Sequence, residues 1–239
     1  WFLANYYQIM WLDAFMIFPL FHYGLEKLIN ENNCIIYIFS LSYIMISNFY
    51  MAFIVCLYTL MYYLFRIVIK KDKYRNKLKN FDLIFVSTIV VFLICFYYIN
   101  DVYSSLIKIG VYVSNVANDF STINVFYLIK SLFSGISYTS MSTIRYSIFN
   151  VSSSLIVLIS YFYYFINKKI SKKDKLIHFF VSVFIVILVC SKYLNYIANG
   201  FHLPVGYHYR YSFIITFYSL RIFCKNYLSW DKRVDNKIY

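Results

Sequence analysis

Apolar residues fall along this chain in long, nearly unbroken runs separated by short polar or basic gaps. Seven runs lie at about residues 11–29, 34–48, 49–70, 82–100, 146–166, 176–196 and 210–228. A stretch such as "LIFVSTIVVFLICFYYI" (83–99) is apolar all round. It lacks both the period-two alternation of a transmembrane strand and the polar face of a surface helix. Most of the runs approach the roughly 20 residues that carry a helix across a bilayer core. The pattern therefore predicts an all-α membrane protein, a polytopic helical bundle of about seven transmembrane segments. The first two runs are short enough to be tilted or partly re-entrant. Ser47, Asn48 and Phe49 are expected to make a tight connection between the second run and the third. No internal repeat is apparent, and residues 1–239 read as one membrane domain.

The gaps are not alike. Three of them, "KKDKYRNKLKN" (70–80), "NKKISKKDK" (167–175) and the tail "WDKRVDNK" (230–237), are strongly basic. Alternation of seven spans puts all three on one side. Of 23 Lys and Arg residues, only Lys108, Lys130, Arg145, Lys192 and Arg210 then fall on the other. Cytoplasmic loops carry such an excess, so the basic loops are placed in the cytoplasm of a multi-pass membrane protein. The outer side holds "NYYQIMWLDA" (5–14), the "SNF" turn, a Ser-, Asn- and Thr-rich region at about 100–145, and "NGFHLPVGYHYRYSF" (199–213). Within the long region, "INVFYLIKSLFSGI" (123–136) has the spacing of an interfacial amphipathic helix, and equally suits a packed external loop.

Composition agrees. Hydrophobic residues make up 62% and charged residues 14%, against the about 25% charged of a soluble domain. The net charge of +13 follows from the topology and gives no reason to expect nucleic acid. Cys34, Cys56, Cys95, Cys190 and Cys224 show no paired spacing, so neither a disulfide framework nor a metal site is expected. The chain starts at Trp1 without a basic leader, like the interior of a longer polypeptide.

Candidate chemistry lies at the outer ends. Asp13 sits in the first turn of the first span, where a carboxylate complements the helix dipole or faces an outer cavity as a general base or a metal or sugar ligand. Trp11 is placed to stack on a sugar or to anchor at the interface. The gap 199–213 gathers Gly200, Pro204 and Gly206, which favour a compact turn, with His202, His208, Tyr209 and Arg210 on it. The planar guanidinium of Arg210 suits a lipid phosphate and equally suits snorkelling to headgroups. His22 lies mid-span on an apolar face and is expected to be hydrogen-bonded within the bundle, and His178, at the inner start of the sixth span, is expected to be structural. Glu26 and Lys27 look like ordinary interfacial charges. Nucleotide-loop, dinucleotide, zinc-protease and nucleophile-elbow motifs are absent from the sequence. No cofactor is expected, and a divalent metal is not indicated.

Several stretches together carry a resemblance. "NYYQIMWLDAFMIFPLFHYGLEKLI" (5–29), "SLSYIMISNFYMAFIVCLYTLMYYLFR" (40–66), "KSLFSGISYTS" (130–140), "NKKISKKDKLIHF" (167–179) and "GFHLPVGYHYRYSF" (200–213) follow in this order. Their Trp-Leu-Asp-Ala turn, helix proline, Gly-Leu-Glu-Lys exit, Ile-Ser-Asn-Phe-Tyr connection and Arg-Tyr-Ser-Phe start resemble the YfhO family of bacterial membrane proteins over nearly the whole chain. The resemblance implies a GT-C-type glycosyltransferase-like protein. Such a protein would transfer a sugar from a polyprenyl-phosphate donor to a cell-wall polymer such as lipoteichoic acid, on the outer face of a Gram-positive cell. Partners so implied are membrane lipids, the lipid-linked sugar and the polymer acceptor.

Family members are longer, and their acidic first external loop would precede Trp1. Asp13 matches a family motif but receives no role from the match, so it stands as a candidate base only. On this reading Arg210, with Arg145 second, meets the donor phosphate, and His202, Trp11 and Tyr209 contact sugar or acceptor. A flippase for lipid-linked sugars and a non-catalytic scaffold are the rival readings.

Overall fold

The computed structural model describes residues 9–69, 74–109, 155–198 and 211–229. Its helices are α1 (Ile9–Glu31), α2 (Ile35–Ser47), α3 (Phe49–Ile69), α4 (Tyr74–Ile94), α5 (Phe96–Ile109), α6 (Leu155–Ile166), α7 (Lys172–Cys190), α8 (Lys192–Ala198) and α9 (Ser212–Leu228). There is no strand among the described residues, as the all-α reading expects. The chain divides into two compact units, essentially Ala4–Asp119 and Phe120–Tyr239.

In the first unit, α1, α2 and α3 form a tightly connected helical meander. Asn32 ends α1 in the left-handed region (φ 56°), a conformation asparagine tolerates after a helix, and its N–H still reaches the Leu28 carbonyl at 3.1 Å. The Asn33 side chain then accepts from the Ile35 N–H at 3.1 Å and starts α2.

Asn48 alone joins α2 to α3. Its N–H bonds the Ile44 carbonyl at 2.8 Å, and its Oδ1 accepts from the Met51 N–H at 3.1 Å. One residue thus ends one helix and caps the next, which accounts for the tight turn expected at Ser47–Phe49. Asn48→Ala removes the cap and is expected to cost about 1 kcal/mol. Thermal unfolding of the detergent-solubilised protein should show a midpoint lowered by about 2–4 °C.

The core of this unit is apolar and close. Phe18, Phe21, Leu25 and Leu28 of α1, Tyr37, Leu41 and Ile44 of α2, and Met51, Ala52 and Val55 of α3 are buried, and the Phe21 ring meets that of Tyr37 at 5.3 Å. Gly24 sits where α1 meets α2: a Cβ there would lie 2.7 Å from the Tyr37 backbone nitrogen and 2.9 Å from the Ile36 carbonyl carbon. Small residues let helix backbones approach in this way. α4 joins the unit through the Tyr37 hydroxyl, 2.9 Å from Thr88 Oγ1.

Element boundaries depart from the hydropathy reading at two places. The run 82–100 belongs to a longer helical stretch, α4 and α5, which together run from Tyr74 to Ile109 around a local irregularity at Cys95. The ladder persists across it, with Cys95 N–H to Val91 O at 3.0 Å and Ile99 N–H to Cys95 O at 2.9 Å. The polar region expected from about residue 100 is therefore helical over its described residues, 100–109.

The run 176–196 is interrupted at Ser191, whose backbone is extended (φ −92°, ψ 123°). Its Oγ accepts from the Leu194 N–H at 3.4 Å, so the serine starts α8 anew. Hydropathy averages over such a break because the flanking residues remain apolar. The stretch 146–154 of the fifth run lies outside the described residues.

Seven spans are not all evident by length and composition. Among the described residues Phe49–Ile67 alone qualifies, with mean hydropathy 1.5 over 19 residues. α2 is apolar throughout but has 13 residues, about 20 Å of helix against a hydrocarbon core of about 30 Å. α1 has the length, with 23 residues, but carries Asp13, Glu26, Lys27 and Glu31.

In the second unit α6 packs on α9 and α8 on α7. Tyr164, Ile170 and Ile222 form a buried apolar cluster among the described residues, with Tyr161, Phe165 and Tyr218 packed around them.

Candidate functional site

The first unit carries a polar seam between α1 and α3. On α1, Phe18, His22, Glu26 and Asn30 recur every four residues; on α3, Tyr58, Tyr62 and Arg66 do the same. Positions four apart share one helix face, so each set forms a stripe. The stripes meet in register. The Tyr58 hydroxyl lies 2.9 Å from His22 Nδ1. Tyr62 donates to Glu26 Oε1, Arg66 donates to Glu26 Oε2, and a second guanidinium nitrogen donates to Asn30 Oδ1. Asn30 Nδ2 returns to Glu26 Oε2 at 3.2 Å. Ascending α1 positions meet ascending α3 positions, so these two helices run the same way and α2 returns between them.

Aromatic rings close the other end of the seam. Phe18 meets Tyr58 edge-on at 5.0 Å, Tyr58 and Tyr62 stack at 5.9 Å, and His22 stands edge-on to Tyr62 at 4.9 Å. The Arg66 side chain is only 10% exposed and that of Glu26 25%, so the ion pair lies largely out of water. Charge-assisted bonds of this kind are short and strong, and the carboxylate here takes three donors. The arrangement can neutralise a buried arginine and fix α3 against α1. It also offers stacked tyrosines beside a carboxylate, a guanidinium and an amide. Lys27 stands apart, paired with Glu31 at 3.7 Å and lying over the Tyr23 ring at 5.6 Å.

The second unit has a polar network of its own. Asn226 of α9 donates to the carbonyl and the hydroxyl of Ser160 on α6, at 3.2 and 3.0 Å. Asn167 donates to Asn226 Oδ1 at 3.0 Å and to Ser229 Oγ at 2.8 Å. Both asparagines are buried. His178 Nδ1 lies 2.6 Å from the Tyr218 hydroxyl, and Tyr161 bonds Ser182. Among the described residues no group of three or more His, Cys, Asp or Glu side chains is placed to hold a metal ion.

The sequence-expected site residues fare unequally. Asp13 lies on α1, partly exposed, in the first turns of that helix. Trp11 falls on the same helix two residues earlier. Arg145, His202, Tyr209 and Arg210 lie outside the described residues, and α9 is described from Tyr211, which precedes its first helical residue. His22 is hydrogen-bonded within its unit, as expected, and so is His178.

Glu26 is not the ordinary interfacial charge that sequence suggested, because Tyr62, Arg66 and Asn30 converge on it. The four-residue spacing in each stripe was a visible signal. The pairing of one stripe with the other was not.

A family model described as bacterial membrane protein YfhO matches residues 1–236. No curated protein and no solved structure gives a significant match.

Proposed function

We propose a role in sugar transfer from one premise: this chain belongs to the YfhO family of bacterial membrane proteins. The membership carries the reading, and the family order of motifs over almost the full chain supports it. The donor is a polyprenyl-phosphate sugar and the acceptor a cell-wall polymer such as lipoteichoic acid, at the outer face. A carboxylate takes the proton of the acceptor hydroxyl, whose oxygen forms the new bond to the anomeric carbon. The bond from that carbon to the phosphate oxygen breaks, and a cation stabilises the departing polyprenyl phosphate. Arg210 is the first candidate for that cation and Arg145 the second. Asp13, Trp11, His202 and Tyr209 are candidates for acceptor and sugar contacts, with Asp13 the candidate base in this chain.

A multi-pass bundle with its basic loops in the cytoplasm belongs to the same proposal. It is supported by large apolar side chains left facing outward on the described helices, such as Ile35 and Phe39 on α2 and Ile159 and Phe162 on α6. Exposed faces of this kind suit acyl chains.

The test is sugar on the wall polymer of cells carrying full-length variants at matched protein levels. Arg210→Ala is expected to lower transfer on the order of 100-fold, the loss typical of one transition-state donor. Asp13→Asn should cost at least as much if it is the base. Undiminished glycosylation with Asp13, His202 and Arg210 all replaced would overturn the reading and make the chain a scaffold.

A further inference from the structure

We propose that the start of α7, with the turn before it, is a binding site for an anionic phospholipid. The site stands on this chain's membrane character and not on sugar transfer. The stretch Asn167–Lys175 holds five lysines and one aspartate. That single carboxylate turns inward, toward Lys225 of α9 at 4.0 Å. Lys168, Lys172 and Lys173 are exposed. Three of the lysines, at 172, 173 and 175, occupy the first turn of α7, where the helix dipole already presents positive charge and cations are disfavoured. An external anion relieves that arrangement.

The apolar half of the site continues the same helix face. At about 100° per residue, Lys172, Leu176, Phe179, Phe180, Val183 and Ile187 fall within an arc of about 100°. The five apolar side chains are 38–59% exposed, whereas Ile177, His178, Val181 and Val189 on the opposite side are buried. From Leu176 to Ile187 the helix rises about 17 Å. One leaflet of a bilayer core is about 15 Å thick. A basic patch at the foot of an exposed apolar stripe of that length fits a headgroup phosphate on the lysines and an acyl chain along the stripe. A free anion would use only the first half, and a protein partner has no need of the matched length.

The test titrates the detergent-purified full-length protein with phosphatidylglycerol, phosphatidylcholine or inorganic phosphate and follows the thermal unfolding midpoint. Phosphatidylglycerol should raise the midpoint and phosphatidylcholine should not. Replacing Lys172, Lys173 and Lys175 by Gln should weaken the phosphatidylglycerol titration on the order of 100-fold. The triple Arg replacement and Lys79→Gln should titrate like wild type. Equal effects of both lipids, an unchanged titration in the triple Gln variant, or a full shift from inorganic phosphate alone would each overturn the proposal.

Discussion

Gly24→Val is expected to abolish the packing of α1 on α2 and to leave little folded protein in the membrane. Even the first added atom, Cβ, would lie 2.7 Å from the Tyr37 nitrogen and 2.9 Å from the Ile36 carbonyl carbon. Both are backbone atoms held in the start of α2, so no rotamer change relieves the contact. The helices must separate, and the buried set around Phe21, Leu25, Tyr37 and Leu41 loses its fit. Overpacking a close core costs about 1–3 kcal/mol, and more when backbone must move. Gly24→Ala should fall within that range, and valine beyond it. Fluorescence-detected size-exclusion of detergent extracts gives the readout, with Tyr23→Ala as the neighbour control. Tyr23 is half exposed and should change the monodisperse peak little. A wild-type peak from Gly24→Val would disprove the close approach.

The second large effect is expected at Arg66. Arg66→Met removes the guanidinium that meets both Glu26 and Asn30. Glu26 then keeps its charge beside Tyr62 and Asn30 without the guanidinium opposite it. Breaking one partner of a buried pair costs about 3–5 kcal/mol because the other charge stays behind. The remaining exposure of Glu26 places the expected loss at the lower end, about 3 kcal/mol. The double variant Glu26→Gln, Arg66→Met should recover most of it, since no uncompensated charge remains. Thermal unfolding of the two single variants and the double variant measures the coupling. Additive losses would show that the pair contributes nothing as a pair.

Much of the helical layout was legible in the chain. The apolar runs located α1, α2, α3 and α9 to within a few residues, because a segment without polar positions has few alternatives to helix in lipid. Asn48 was legible as a turn because asparagine can bond its own backbone neighbours. The interruption at Ser191 was not, since a serine between apolar stretches costs hydropathy almost nothing. Nor was the extension of α4 back to Tyr74, where lysines mask a helical segment.

The candidate site divides along the same line. His22, Glu26 and Asn30 could be placed on one face by counting fours, and so could Tyr58, Tyr62 and Arg66. Nothing local says that these two faces meet. That depends on two tight turns, at Asn32–Asn33 and at Asn48, which bring α3 back alongside α1. It depends also on Gly24, whose missing side chain lets α2 lie close. The sequence by itself determined the solvent this protein prefers, the helices it forms and the family it belongs to, because hydropathy, turn chemistry and motif order are properties of neighbours along the chain. Only the tertiary structure decided that Glu26 is a partly buried hub instead of an edge charge, because burial and ion pairing are set by residues 36 and 40 positions away.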